Sequence, residues 1–446
     1  MGARALSVVT VGLVGAALLA PAASAAQSPV PGSADAYYSP TTTEQFSKNP
    51  LELRRFLTND QPQYDEQSYV WAGSLIDYSG TTNAVAVEMQ RNDDLTNPLG
   101  PIPAVSAAIL FNQGDHPGYV IGGLGGVPDI TLPVSVMSSP WSARVQSFTP
   151  GQLPDFVDVR VVAGEFGRRG AVYEITSNSP NVASSAPVGE RLTSYIRVKD
   201  VTGIGQWGYG PSGYMPMWLF PPQLAAIMGK YHGSVGDYLK ATKDPMRGQG
   251  TYYFTEPLLQ VQRFKMSING KVVSAGAGGW LWLDNVERSF NEQAQQIVNN
   301  GVSWLEFSVQ IPDTHEALKI GYTKQASVGQ FPYAMLMSPA SVKAPDGGWT
   351  SQMTWNQQNI HFRPVKGSEW TNPATGHTYY LKYRVDLDPS PGAQKATFFM
   401  SPMLRDQEAV VSGRAVFEGL FKMTGTIGSR PVTGYAWGEL QPVGSL

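Results

Sequence analysis

In the stretch Gly279-Trp280-Leu281-Trp282-Leu283-Asp284-Asn285, two indoles and a carboxylate alternate with two leucines. Side chains at i, i+2 and i+4 of an extended strand share a face. Trp280, Trp282 and Asp284 therefore point one way, and Leu281, Leu283 and Asn285 the other. Leucines fill an ordinary core, whereas two indoles with one carboxyl suit the wall of a ligand cavity. A carboxyl walled in by indoles loses hydration, which raises its pKa and keeps it protonated as a proton donor. Indole faces, in turn, stabilise a developing cation. Together these are the parts needed to add a proton to an alkene. A plainer reading of the same residues is a strand that ends at Asp284, with the carboxylate capping the turn at Asn285. The acid reading expects Asp284 to be buried in apolar surroundings, with its pKa raised and no Arg or Lys paired to it. Gly276, Gly278 and Gly279 just upstream could place a bulge that breaks the alternation.

A weaker version recurs near the end of the chain. Tyr435, Trp437 and Glu439 share a face, and Glu418 sits in the partner strand beside Phe417 and Gly419. Glu418, Tyr435 and Trp437 are candidate substrate contacts, although an aromatic stripe also serves simply to close a barrel. The five histidines, His116, His232, His315, His361 and His377, show no H-x-H or H-E-x-x-H spacing, so no metal site is assigned. The absence of Gly-Xaa-Ser-Xaa-Gly argues against a serine hydrolase of the α/β type. With no cysteine, disulfides, thiol nucleophiles and thiolate metal sites are excluded. Net charge is -3, charged residues are 15%, and no basic stripe is present, so nucleic acid is not an expected partner. No cofactor is assigned.

These residues need strands to position them, and the composition supplies strands. Aromatics reach 11%, and 47 glycines and 34 prolines punctuate the chain without a fixed period. Strand-like runs such as Thr82–Met89, Ala104–Phe111, Val157–Val162 and Ser194–Val198 recur between turn residues, as in an all-β protein. Asn269-Gly270, between Phe264–Ile268 and Lys271, is the signature of a type I′ hairpin. A second hairpin joins Val416–Thr424 to Pro431–Gln441 through Gly428-Ser429-Arg430. Helix is expected only in short pieces, Pro221–Gly229 and Ser234–Lys240. At the start, Arg4, an apolar run from Ala5 to Ala20 and Ala23-Ser24-Ala25 read as a secretory signal peptide over residues 1–25. A flexible lead-in over 26–48 follows, then an amino-terminal β domain over 49–292 and a carboxy-terminal one over 293–446. The expected mature protein is secreted and has no integral membrane segment.

Several local stretches carry a family resemblance. Trp370-Thr371-Asn372-Pro373-Ala374-Thr375-Gly376-His377-Thr378-Tyr379, Asp406-Gln407-Glu408, Phe417-Glu418-Gly419 and Val432–Leu440 follow one another in the order seen in AttH-like proteins. The Gly279–Arg288 and Ser303–Phe307 stretches are similar to further elements of that family, with Asn285 where His or Arg is usual. The chain thus resembles the AttH-like, carotenoid hydratase-like group, which includes kievitone-type hydratases and decalin-forming Diels–Alder cyclases. The resemblance implies two lipocalin-like β-barrel or β-sandwich domains with a ligand pocket near or between them. It implies Asp284 as the acid, with Tyr253 or Tyr252 in the preceding strand as its partner. The expected activity is a cofactor-independent hydratase or cyclase acting on a small hydrophobic molecule, isoprenoid-like or polyketide-like, by alkene protonation. The alternatives are a pericyclic cyclase working by pocket shape, and a non-catalytic binder of a hydrophobic ligand.

Overall fold

The computed structural model describes residues 66–94, 102–113, 120–124, 134–138, 141–147, 155–182, 187–206, 230, 250–289, 302–325, 329–339, 349–355, 357–390, 392–404, 406–411 and 414–444. Among them the chain is almost wholly strand, with one 3-10 turn at Gln357–Asn359. The two helices expected at Pro221–Gly229 and Ser234–Lys240 lie outside the described residues, as does the expected boundary near 292. No helix among the described residues is long and apolar enough to cross a membrane.

Among the described residues two large antiparallel sheets dominate, and both curl into nearly closed barrels of lipocalin-like form. The first runs from Val120–Leu124 through Ile102–Asn112 and Thr82–Asp94 to Glu66–Asp77. It continues through Lys271–Ser289, Gly250–Ile268, Arg191–Asp200 and Val172–Pro180 to Asp155–Ala163, Trp141–Ser147 and Val134–Ser138. The curl brings Val120–Leu124 against Val172–Pro180. The second sheet repeats the plan. Trp349–Thr354, Gly329–Pro339, Glu316–Gln325 and Val302–Ile311 lead to Arg430–Leu440, Arg414–Ile427, Ala396–Pro402, Tyr383–Leu387 and Ile360–Pro364. In each barrel the first strand pairs with the last, which ties the ends of the unit together.

Strand alternation sorts each barrel into an apolar inside and a mixed outside. Tyr69, Trp71, Val85, Val87, Leu281 and Leu283 belong to the first core, where Trp141 stacks on Phe166 at 4.4 Å. Phe307, Phe421 and Val385 belong to the second. Where the barrels meet, Ala72, Ala86 and Leu110 on the outside of the first pack against Leu420, Trp437 and Leu404 of the second. Gln310 crosses this seam. Its amide donates to the carbonyls of Pro257 and Leu281, each at 2.7 Å. Pro257 lies where the Gly250–Ile268 strand bulges against its neighbour.

The hairpin at Asn269-Gly270 has both residues at positive φ, 49° and 78°, as its dipeptide dictates. Other motifs behind the resemblance are scaffold. Glu369–Thr371 pairs with Thr378–Tyr380, and Trp370 stacks on Tyr379 above a turn closed at Gly376. Gln407 is fully buried. It donates to the Leu404 carbonyl and accepts the Leu420 amide, so it fixes the strand that carries Glu418.

Candidate functional site

Val70, Ala72 and Ser74 pair with Asp284, Trp282 and Trp280 in unbroken register, so the three side chains do share a face. The irregularity anticipated at the upstream glycines is real but stops short of Trp280. The register slips opposite Ile76 and Asp77, and Gly279 takes a positive φ of 109°. Any Cβ on Gly279 would strike the Ser74 carbonyl oxygen, so only glycine fits the bend. The shared face looks out of the first barrel, toward the second, while Leu281 and Leu283 fill the first core. Trp282 is buried at the seam and Trp280 packs against it only partly covered.

Asp284 does not stand in apolar surroundings. The ammonium of Lys319, on Glu316–Gln325 of the second barrel, approaches its Oδ2 at 3.3 Å. This overturns the expectation of a carboxyl without a cationic partner. Lys319 is itself buried, and its three N–H groups reach Asp284, Glu306 Oε1 at 2.8 Å and Ser308 Oγ at 2.9 Å. It also lies 4.9 Å from the centre of the Tyr253 ring. Tyr333 donates to the other oxygen of Glu306 at 2.6 Å. Burial works against a charged lysine, but Asp284 and Glu306 overcome it and hold the Lys319 pKa above its usual value.

The outer face of the second barrel arranges its acids in a row. Glu418, Glu439 and Glu306 stand directly opposite one another on three adjacent strands. The next place in the row is Gly321, followed by Tyr333. A Cβ on Gly321 would come within 2.7 Å of the Tyr333 hydroxyl, so the missing side chain is what lets that hydroxyl lie across to Glu306. Two indole N–H groups complete the row. Trp304 donates to Glu439 and Trp437 to Glu418, both at 2.9 Å. Oxygens of Asp284, Glu306 and Glu439 all come within 4.8 Å of one another, and Lys319 is the cation among them.

Charge crowding tunes the group. The Asp284 side chain keeps 13% of its surface open, yet burial still raises its pKa; Lys319 lowers it and Glu306 raises it again. Burial, Glu418 and Glu306 push Glu439 well above the carboxylate range. Burial pushes Glu418 up to about 8 in spite of the Trp437 bond, with Glu88, Glu306 and Asp284 adding to the rise. The Tyr253 hydroxyl is likewise held well above its usual pKa, first by burial and then by Asp284.

The residues anticipated from sequence thus meet in part. Asp284, Tyr253, Trp282, Glu418 and Trp437 come to one seam. Tyr435 stands a row away, opposite Gln310. Tyr252 is described only in its backbone, opposite Glu287. Lys319, Glu306, Ser308, Tyr333 and Trp304 were not anticipated. A trace of them is visible in the alternation Trp304, Glu306, Ser308, but such a pattern is also that of any strand with one face in water.

The fold and site define a class: a double-barrel, lipocalin-like protein with an ionisable cluster at the barrel seam. No family model and no curated protein matches the sequence. Among solved structures, the chain is similar to an AttH-assigned protein from Nitrosomonas europaea, at 15% identity and a TM-score of 0.57, over 90% of this chain and 99% of that one. It is also similar to kievitone hydratase from Nectria haematococca, at 14% identity and a TM-score of 0.51, over 87% and 92%. These likenesses establish a shared double-barrel fold, the one implied by the C-terminal motifs.

Proposed function

We propose that this protein is a hydratase or cyclase that needs no cofactor and protonates an alkene in an apolar, isoprenoid-like or polyketide-like substrate at the seam between its barrels. One observation carries the reading: a crowded group of carboxyls, served by a single lysine, lies beside Trp282 and Tyr253. A carboxyl kept neutral at ordinary pH can give its proton to an alkene carbon, and the indole face can shelter the cation that forms. Water or a second alkene then closes the reaction. The fold shared with kievitone hydratase supports the same reading, as do the motifs that resemble its family. The leader-like start supports secretion, and amino-terminal sequencing of protein from the culture medium is expected to begin near Ala26.

The test is turnover of a panel of prenylated and polyene substrates in heavy-oxygen water, read by mass spectrometry. Hydration adds one labelled oxygen; cyclisation adds none. Asp284→Asn is expected to lower turnover by about 10²–10⁴-fold, the usual worth of a general acid or base. Full turnover in that variant would point to a shape-only pericyclic catalyst. Tight binding of the panel without turnover would make the protein a carrier.

A further inference from the structure

We infer that Glu439 carries the proton delivered to substrate, while Asp284 is held as a carboxylate by Lys319 and takes up the proton released afterwards. The assignment rests on the hydratase or cyclase reading and divides its labour between two carboxyls. It starts from counting donors. Lys319 has three N–H groups, and all three are used, on Asp284, Glu306 and Ser308. None reaches Glu439 or Glu418. Glu439 receives a neutral indole N–H from Trp304, and Glu418 one from Trp437. Among the described residues, one ammonium therefore faces four carboxyls, with Glu88 of the first barrel acting on Glu418 as a fifth. Tyr253 and Tyr333 are further ionisable neighbours among the described residues and bring no positive charge.

Burying several like charges together is far more costly than protonating some of them. The proton belongs on the carboxyls that lack the ammonium. Glu439 is the one of these whose oxygen lies within 4.8 Å of Asp284, which borders Trp282 on the substrate face. The pKa shifts rank the two in the same order: Glu439 stands well above the carboxylate range although Lys319 acts on it too, whereas Asp284, also raised by burial, is held back first by the Lys319 ammonium.

The chemistry balances without another reactant. The Glu439 O–H bond breaks as its proton joins one alkene carbon, leaving a carboxylate and a carbocation. Water adds through oxygen to the cation and passes a proton to Asp284. In a cyclisation, a second alkene adds instead, and the final carbon gives its proton to Asp284. Transfer from Asp284 back to Glu439 restores the starting state.

Infrared difference spectroscopy of the whole protein near neutral pH tests the assignment without any substrate. Among the C=O bands of protonated carboxyls, to which Glu418, Glu256 and Asp200 also contribute, one is expected to be lost in Glu439→Gln and to persist in Asp284→Asn. Trp304→Phe, which removes only the indole donor, is expected to move that band to higher frequency. It keeps the test sharp should Glu439→Gln fail to fold. Loss of the band in Asp284→Asn, or no change in both other variants, would overturn the assignment. A band that follows Glu439 in a protein that turns over no alkene would leave the proton on Glu439 and sink the hydratase or cyclase reading alone.

Discussion

Two of the protein's groups of buried carboxyls are treated differently. Inside the first barrel, Asp200 and Glu256 are both fully buried. Asp200 accepts the amides of Thr202 and Gly203, and Glu256 accepts the Tyr173 hydroxyl at 2.7 Å. One oxygen of each is buried with no hydrogen-bond partner, and Arg169 acts on Asp200 only from a distance. Burial raises the Asp200 pKa to about 7 and Glu256 well above its usual range. At the seam, by contrast, an ammonium is built into the group. Without a cation, every buried acid is driven toward its neutral form. With one cation among four acids, neutral and charged carboxyls coexist a few ångströms apart, which is what a proton donor and a proton acceptor need.

Removing the cation is the strongest way to break the contrast. Lys319→Met leaves Asp284 and Glu306 without their ammonium and is expected to cost about 3–5 kcal/mol in denaturant unfolding. The loss should shrink as pH falls and the carboxyls take up protons. The interior pair is expected to respond in the opposite sense. Asp200 has a folded pKa of about 7 against an ordinary value of 3.8, so the folded state binds the extra proton. Stability from this group is then fully present below the unfolded pKa and is lost as pH rises through about 7. Asp200→Asn keeps an oxygen for the Thr202 and Gly203 amides. It should stabilise the protein on the order of a few kcal/mol above neutrality, change little near pH ~4, and flatten the pH profile between them. The smallest effect is expected from Tyr333→Phe, which removes one bond to Glu306 and should cost about 1.5–3 kcal/mol. Its measurement by thermal unfolding also shows how far Glu306 depends on Lys319 alone.

The fold was readable because turn chemistry and alternation are local. Asn269-Gly270 demands its hairpin, and Trp280, Trp282 and Asp284 keep one face because the bend at Gly279 comes before them. The motifs that carried the resemblance specify scaffold, as Gln407 and the Trp370 hairpin show. The lysine beside Asp284 was not readable. Lys319 sits between Leu318 and Ile320 in a strand that alternates like any other. Only the meeting of two barrel exteriors turns its outward face into a buried one, and no short stretch of sequence encodes that meeting. The expectation of apolar surroundings for Asp284 failed for the same reason: its neighbours come from another sheet.

Gln310 bears on how this molecule can be divided. Its amide occupies two main-chain carbonyls of the other barrel, at Pro257 and Leu281. Cut free, the first barrel would present those carbonyls to solvent beside the bared surface of Ala72, Ala86 and Leu110. The second would keep Lys319 on Glu306 and Ser308 but lose its bond to Asp284 and bare the ammonium to solvent. Halves expressed apart should therefore be sticky and short-lived, and mixing them should restore solubility as they find each other. Gene fusions and truncations that respect the sheet boundary would still cut through the working unit, because this protein's smallest complete piece is the pair.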